Sequence, residues 1–178
     1  MNLLIFLTIL SLCAACGWAE VKSYLSPPQT VQAAFPSYKV ERKTLFLTPA
    51  QVQRIERLSR TKINSRLFSY YVARSSAGVA GVAFFDRRIV RTLPVTYMAV
   101  LNESGTLDYV DVLSFEEPNE YQPPARWLAL YKNRGLDDSL AIGRGIPHIT
   151  GASLTSQAMN DGLRMILSVY QVAVQGTL

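Results

Sequence analysis

The clearest indication of the fold comes from residues 95–115, VTYMAVLNESGTLDYVDVLSF. It holds two runs rich in β-branched and aromatic residues, 95–101 and 106–115, on either side of Asn-Glu-Ser-Gly at 102–105. A short glycine-bearing connection between two such runs predicts a β-hairpin. Because a tight hairpin reverses the chain direction, its two strands are antiparallel.

A second hairpin is predicted immediately upstream. Residues 67–73 and 79–85 are rich in Phe, Tyr and Val, and Ser-Ser-Ala-Gly at 75–78 connects them. Residues 87–91 either continue the second strand or form a bulge. The sequence therefore predicts an antiparallel sheet built from consecutive hairpins.

Helices flank these strands. Thr48, Pro49 and Gln51 occupy the cap, first and capping-box positions of a helix that runs through about residue 59. Downstream, a loop with three prolines (116–124) precedes a short helix (125–133) that we expect to end at Gly135, and a long helix is predicted over 154–173 from its apolar stripe. The expected fold class is α+β, an antiparallel sheet packed with helices.

The N-terminus indicates export. Residues 1–19 carry no charged side chain, and the apolar run 3–12 is shorter than the roughly 20 residues of a membrane span. Gly17-Trp18-Ala19 predicts cleavage before Glu20 and a periplasmic protein. The alternative is a lipoprotein anchored through Cys16. The expected organisation is a signal peptide (1–19), an N-terminal leader and helix (20–64, with a short helix at 30–35) and one domain (65–178).

Composition excludes several classes of protein. The 18 Lys and Arg residues are spread along the chain and the net charge is only +5, so a nucleic-acid partner is not expected. Both cysteines, Cys13 and Cys16, lie in the predicted signal peptide, and His148 is the single histidine. The mature chain therefore lacks the ligands of an iron–sulfur cluster or a cysteine-based zinc site, and no metal site is expected. No catalytic residues can be assigned.

Residues 149–156, Ile-Thr-Gly-Ala-Ser-Leu-Thr-Ser, open the long helix. Gly151 allows close approach of a ligand to the backbone, and the unpaired amides of a helix start attract phosphate. Thr150, Ser153, Thr155 and Ser156 add hydroxyl groups. Because Ser and Thr also favour ordinary helix caps, the pattern alone leaves phosphate binding and simple capping both open.

The same stretch resembles the flavinylation motif of FMN-binding domains, which occur in the flavoprotein subunits of sodium-pumping quinone reductases and Rnf-type electron-transport complexes. The family motif is Ser/Thr-Gly-Ala-Thr followed by further Ser or Thr. Residues 101–106 (LNESGT), 115–118 (FEEP) and 126–128 (RWL) extend the resemblance, which covers roughly residues 65–175.

In that family a transferase that uses FAD joins FMN through its phosphate to the hydroxyl after Gly-Ala, here Ser153. The family usually has Thr at this position and Asp six positions earlier, where this chain has Pro147. These two differences leave covalent attachment open.

The resemblance implies a set of cofactor-binding residues. The phosphate end of FMN is assigned to the motif: Thr150, Gly151, Ala152, Ser153, Leu154, Thr155 and Ser156. Candidates to stack on the flavin ring are the aromatic residues Trp127, Tyr121 and Tyr131, although aromatic residues also favour cores. Glu116 and Glu117 are expected to bond ring or ribitol groups, and His148 to orient the phosphate.

The expected function is extracytoplasmic electron transfer by bound FMN, with membrane electron-transfer proteins or cytochromes as partners and a flavin transferase for attachment. A cofactor-free accessory or binding module that keeps the fold is the alternative. A small flavin-dependent reductase with its own substrate is a third hypothesis.

Overall fold

The computed structural model of the protein describes residues 26–178. Its strands form one sheet and are, in chain order, β1 (Lys39–Phe46), β2 (Leu67–Ser75), β3 (Gly78–Ile89), β4 (Pro94–Asn102) and β5 (Leu107–Phe115). Its helices are α1 (Pro27–Ala34), α2 (Pro49–Ser59), α3 (Ala125–Leu128) and α4 (Ser153–Val169). The strand order is β1-β2-β3-β4-β5, and every neighbouring pair is antiparallel. The predicted α+β class is confirmed.

Both predicted hairpins are present, β2 with β3 and β4 with β5, and β4 pairs with β5 from Leu101↔Leu107 to Val95↔Phe115. β3 and β4 pair from Gly81↔Asn102 to Ile89↔Pro94. β2 and β3 pair only from Ser75↔Gly78 to Tyr70↔Phe84, although both strands continue beyond that point. The two strands therefore separate near one end of the sheet.

Helices cover both faces of the sheet. On one face, α2 and α4 pack through Ile55, Met159 and Leu163 in the main apolar core. On the other face, Val31 of α1 packs in a smaller cluster with Tyr71 and other strand residues. This two-sided cover explains why both faces of the strands carry apolar side chains.

A buried arginine ties α4 to its surroundings. The Arg164 guanidinium donates to the carbonyls of Leu58 and Ser59 at the end of α2, and to those of Asp137 and Leu140 in the loop before α4. Its four contacts join three segments that are distant in sequence, and so hold the loop that leads into α4.

A second polar contact lies where α4 crosses the sheet. The Tyr97 hydroxyl and the Arg88 Nε both donate to Asp86 Oδ2, at 2.8 Å and 2.7 Å. A Cβ atom at Gly162 of α4 would collide with the Tyr97 hydroxyl and with Asp86. Glycine at position 162 is therefore required for α4 to pack this closely on the sheet.

The structure also differs from the sequence-based expectations. Strand β1 was not foreseen, and it lies in the segment interpreted as a leader. Residues 87–89 continue β3 without a bulge. The helix expected over 125–133 is shorter, because α3 gives way to a 3-10 turn (Ala129–Tyr131) and Asn133 adopts a left-handed φ of 59°. Asparagine tolerates this conformation and ends the helical segment before Gly135.

The predictions of a signal peptide and of lipidation at Cys16 fall on residues outside the described range. Among residues 26–178, no helix is long and apolar enough to cross a membrane.

Candidate functional site

The predicted motif forms the turn that leads into α4. Gly151 has a φ of +80°, in the left-handed region that favours glycine, and Ala152 is the cap residue. No side chain caps this helix start. The amides of Ser153, Leu154 and Thr155 lie in the first turn, where helical geometry leaves them without a backbone acceptor. The helix start therefore presents donors and the positive end of its dipole.

A cavity of about 180 Å³ lies against this helix start. Its lining comes from three segments: Val90 and Arg91 in the turn between β3 and β4, Glu117 and Tyr121 in the loop after β5, and residues 151–155. A cavity of this volume accommodates a phosphoryl group and the first atoms attached to it.

The three hydroxyl groups of the first helical turn are placed differently. Ser153 is exposed at the cavity. The Ser156 hydroxyl is buried and donates to the carbonyls of Ala152 and Ser153. Thr155 also lines the cavity, is only 1% exposed, and its Oγ1 has no hydrogen-bond partner within residues 26–178. A buried hydroxyl without a partner is costly, and this one belongs to a residue that lines the cavity.

Glu117 holds the opposite wall in place. Its Oε1 accepts from the backbone amides of Arg91, Thr92 and Leu93 at 3.1, 2.8 and 2.8 Å. These amides, with that of Leu93 contributing most and that of Thr92 next, hold the pKa of the Glu117 carboxyl below its ordinary value. This carboxylate oxygen fixes the β3–β4 turn beside the helix start.

Arg91 supplies the cationic side chain of the cavity. Its guanidinium lies over the ring of Tyr121, 5.3 Å from the ring centroid. Within residues 26–178 no carboxylate oxygen lies within 4.0 Å of the Arg91 guanidinium, although its charge also helps to lower the pKa of Glu117. A guanidinium opposite a helix N-terminus is a suitable arrangement for a phosphate or another oxyanion. The sequence alone did not connect Arg91 with the motif, because about sixty residues separate the two.

The other predicted site residues lie elsewhere. Trp127 is buried, donates from Nε1 to the Pro147 carbonyl at 2.8 Å, and packs edge-on against Tyr131. Glu116, His148 and Thr150 are exposed, and they are not among the residues that line the cavity. Tyr121 is thus the predicted stacking residue that the fold brings to the cavity, whereas Trp127 and Tyr131 belong to the core.

The residues present fit the phosphate end of FMN. The unpartnered Thr155 hydroxyl, the amides of the first turn and the Arg91 guanidinium are all donors suited to a phosphate. The described residues form no enclosed aromatic pocket for the flavin ring. Tyr121 is the aromatic residue among those that line the cavity.

Comparisons with known proteins show a distant structural similarity. No protein-family model matches the chain, and no curated protein matches it. Among solved structures, the chain is similar to the crystal structure of Shewanella oneidensis NqrC, with a TM-score of 0.45 and 13% sequence identity over 81% of this chain and 82% of that chain. At this TM-score and sequence identity, the similarity carries no conclusion about the function of this chain.

Proposed function

We propose that this protein binds FMN through its phosphate at the start of α4 and serves as an electron carrier. The observation that carries the proposal is the buried Thr155 hydroxyl, which has no partner within residues 26–178 and belongs to a residue that lines the same cavity as Arg91. The Gly-Ala-Ser motif at the same helix start resembles the flavinylation motif, and this resemblance supports FMN as the source of the phosphate.

The chain's own residues would bind and orient the cofactor. The amides of the first α4 turn and the hydroxyls of Ser153 and Thr155 would donate to phosphate oxygens, and Arg91 would balance their charge. Glu117 would keep Arg91 in position through the turn amides. FMN supplies one- and two-electron transfer when bound, and the protein tunes its potential by hydrogen bonding and burial.

Noncovalent binding of FMN is tested by titrating the purified protein with FMN and following flavin fluorescence. Thr155→Val removes the hydroxyl with little change of shape. Since a hydrogen bond to a charged group contributes roughly 1.5–3 kcal/mol, we expect the Kd to rise about 10- to 100-fold. Arg91→Gln should also raise the Kd for FMN, and the increase should be larger at low salt.

The matched control is Ser156→Ala. Its hydroxyl lies in the same helical turn but bonds only to backbone carbonyls of that turn, so its loss should leave the FMN affinity nearly unchanged. Thr155→Val should also leave the stability of the FMN-free protein unchanged or raise it, because the hydroxyl it removes is unpaired. Wild-type protein that fails to bind FMN in any form would favour the cofactor-free module instead.

We further propose that Ser153 is the acceptor when FMN is attached covalently. The Ser153 Oγ would form a bond to the FMN phosphorus of FAD while the bond from that phosphorus to AMP breaks, and the hydroxyl proton would leave to solvent. Ser153 suits this role because its hydroxyl is exposed at the cavity. The Ser156 hydroxyl already donates to a backbone carbonyl of its own turn, and the Thr155 side chain is buried.

Co-expression with a flavin transferase, followed by fluorescence of a denaturing gel, tests this assignment. Wild-type protein and Thr155→Ala should fluoresce, and Ser153→Ala should be dark. A fluorescent Ser153→Ala band would move the attachment site. If wild-type protein is dark and Pro147→Asp fluoresces, the acceptor is intact and the chain has lost recognition by the transferase.

Export to the periplasm is part of the same proposal. N-terminal sequencing of the protein from its host should begin at Glu20. A diacylglyceryl group on Cys16 would replace this assignment with the lipoprotein alternative.

A further inference from the structure

A second cavity lies where strands β2 and β3 separate. Beyond the last pair, Tyr70↔Phe84, β2 continues to Leu67 in register with β1, and β3 continues to Ile89 in register with β4. A cleft of about 710 Å³ occupies the gap, and it is lined by side chains from both faces of the sheet, from Pro27 in α1 to Met165 in α4. We call it the β2–β3 cleft. It shares no lining residue with the cavity at α4.

The cleft is positively charged. Arg42, Arg87, Arg88 and Lys62 line it, and Asp86 is the acidic residue among its described lining. Arg88 pairs with Asp86 at 2.7 Å, and Lys62 pairs with Glu56 at 3.5 Å. Two cations, Arg42 and Arg87, are therefore left without a carboxylate partner among the residues that the structure describes.

Arg42 and Arg87 lie on the same face of the sheet. Arg42 is paired with Tyr71, Tyr71 is paired with Ala83, and Arg87 follows Ala83 at an even spacing of four residues. Directly paired residues share a face, and so do residues two or four apart on one strand. The two guanidinium groups thus flank the opening from the same side, and Arg42 also donates to the Ser69 hydroxyl at 3.1 Å.

Apolar groups form the body of the cleft. The rings of Tyr71 and Phe85 pack edge to face with centroids 5.7 Å apart, and Phe68 adds a third ring from the other face. Ile89 and Leu67 also line the cleft, and each is 56% exposed, so together they add exposed apolar surface beside the arginines. Basic groups around an apolar floor match a ligand that carries both features.

The dimensions favour a small molecule over a peptide strand. On the β2 side the opening spans three residues, 67–69, or about 10 Å at roughly 3.3 Å per residue. This is shorter than the usual strand of about 5–6 residues, whereas the volume lies within the range of about 300–1,000 Å³ of small-molecule sites. We propose that the β2–β3 cleft binds a small organic anion with an aromatic or similarly apolar body and a carboxylate or sulfonate group, held between Arg42 and Arg87.

The probe for this proposal is 1-anilinonaphthalene-8-sulfonate, whose fluorescence rises in an apolar site. Wild-type protein should bind it saturably at one site. The double variant R42Q/R87Q should raise the Kd at least about tenfold, because each guanidinium contributes a charge-assisted contact. Both arginines are exposed, so the variant should fold normally, which circular dichroism checks. Ile89→Ser should weaken binding through the loss of apolar surface.

The matched control is R54Q/R126Q, which changes the net charge equally at two exposed positions outside the cleft. It should bind the dye as wild type does. Naphthalene-2-carboxylate should compete with the dye, whereas inorganic sulfate at the same ionic strength should not.

Four results of the dye titrations and the competition with naphthalene-2-carboxylate and sulfate would overturn the proposal. They are the absence of saturable binding to wild type, equal weakening by the two double variants, an unchanged Kd for Ile89→Ser, and competition by sulfate as effective as that by the naphthalene carboxylate. Displacement of the dye by FMN would also overturn it, since it would place the dye at α4. Because FMN binding is measured separately, the failure of either site is distinguishable from the failure of the other.

Discussion

Replacing Arg164 by Met tests whether this side chain holds the loop in front of the candidate site. Arg164 is 5% exposed, and its guanidinium donates to the carbonyls of Leu58, Ser59, Asp137 and Leu140 at 2.8 to 3.2 Å. Methionine keeps an unbranched apolar side chain in the same place, but it donates no hydrogen bond to these four carbonyls. The loss therefore falls on the hydrogen bonds rather than on packing.

The expected cost follows from the burial of the acceptors. The bonds to Ser59 and Leu140 are buried, and an unpaired buried carbonyl costs about 1–3 kcal/mol. Without the guanidinium the Ser59 carbonyl keeps only a long bond from the Thr61 hydroxyl, at 3.5 Å. The bonds to Leu58 and Asp137 are partly buried, so water can replace the guanidinium there at little cost. For two buried carbonyls, Arg164→Met should thus lower the free energy of unfolding by about 2–6 kcal/mol, or the Tm by roughly 4–24 °C at about 2–4 °C per kcal/mol.

Urea unfolding followed by Trp127 fluorescence measures this difference, since Trp127 is buried in the folded state. The midpoint should fall while the slope of free energy against urea stays constant. Arg164→Lys, which keeps the charge with fewer donors in a different geometry, should lose part of the stability. The control Arg54→Met, at an exposed position, should change it by less than about 0.5 kcal/mol. A loss below about 1 kcal/mol for Arg164→Met would refute the reasoning, because the four carbonyls would then be satisfied without the guanidinium.

Two further predictions concern the packing of α4 and the wall of the cavity. Gly162→Ala places a Cβ against the Tyr97 hydroxyl and Asp86, so thermal unfolding should show a loss of at least about 1–3 kcal/mol, whereas Gly176→Ala, which meets nothing within 4 Å, should be nearly neutral. Equal midpoints for the two variants would contradict this. Because the folded pKa of Glu117 is lowered, its contribution to stability is present above its unfolded pKa of about 4.3 and is lost as the pH falls through the folded pKa. The stability difference between wild type and Glu117→Gln, measured by urea unfolding across pH, should therefore shrink on acidification; a difference independent of pH would show that the charge of Glu117 does not hold the turn.

The local signals in the sequence predicted most of the elements. Thr48 and Gln51 form the expected capping box at the start of α2. The two hairpins and the long helix α4 also lie within a few residues of their expected bounds. These elements depend on turn residues, caps and periodicity, all of which act between near neighbours in the chain.

Strand β1 escaped prediction for a physical reason. Its sequence, KVERKTLF, carries four charged residues and has little apolar alternation. Edge strands are often charged in this way, and what makes this segment a strand is its pairing with β2 along its whole length. That pairing is a tertiary property and leaves no local pattern.

The sequence by itself determined the α+β class, the hairpins, and a hydroxyl-rich glycine turn at the start of a long helix. The residues that lie opposite that turn became known only from the tertiary structure. It brought Arg91 and Glu117 beside the helix start, left the Thr155 hydroxyl unpaired while Ser156 bonded its own backbone, and placed Trp127 in the core. The reason is that hydrogen-bond partners and burial depend on which distant segments the sheet register and the packing of α4 bring together, whereas caps and periodicity depend only on neighbouring residues.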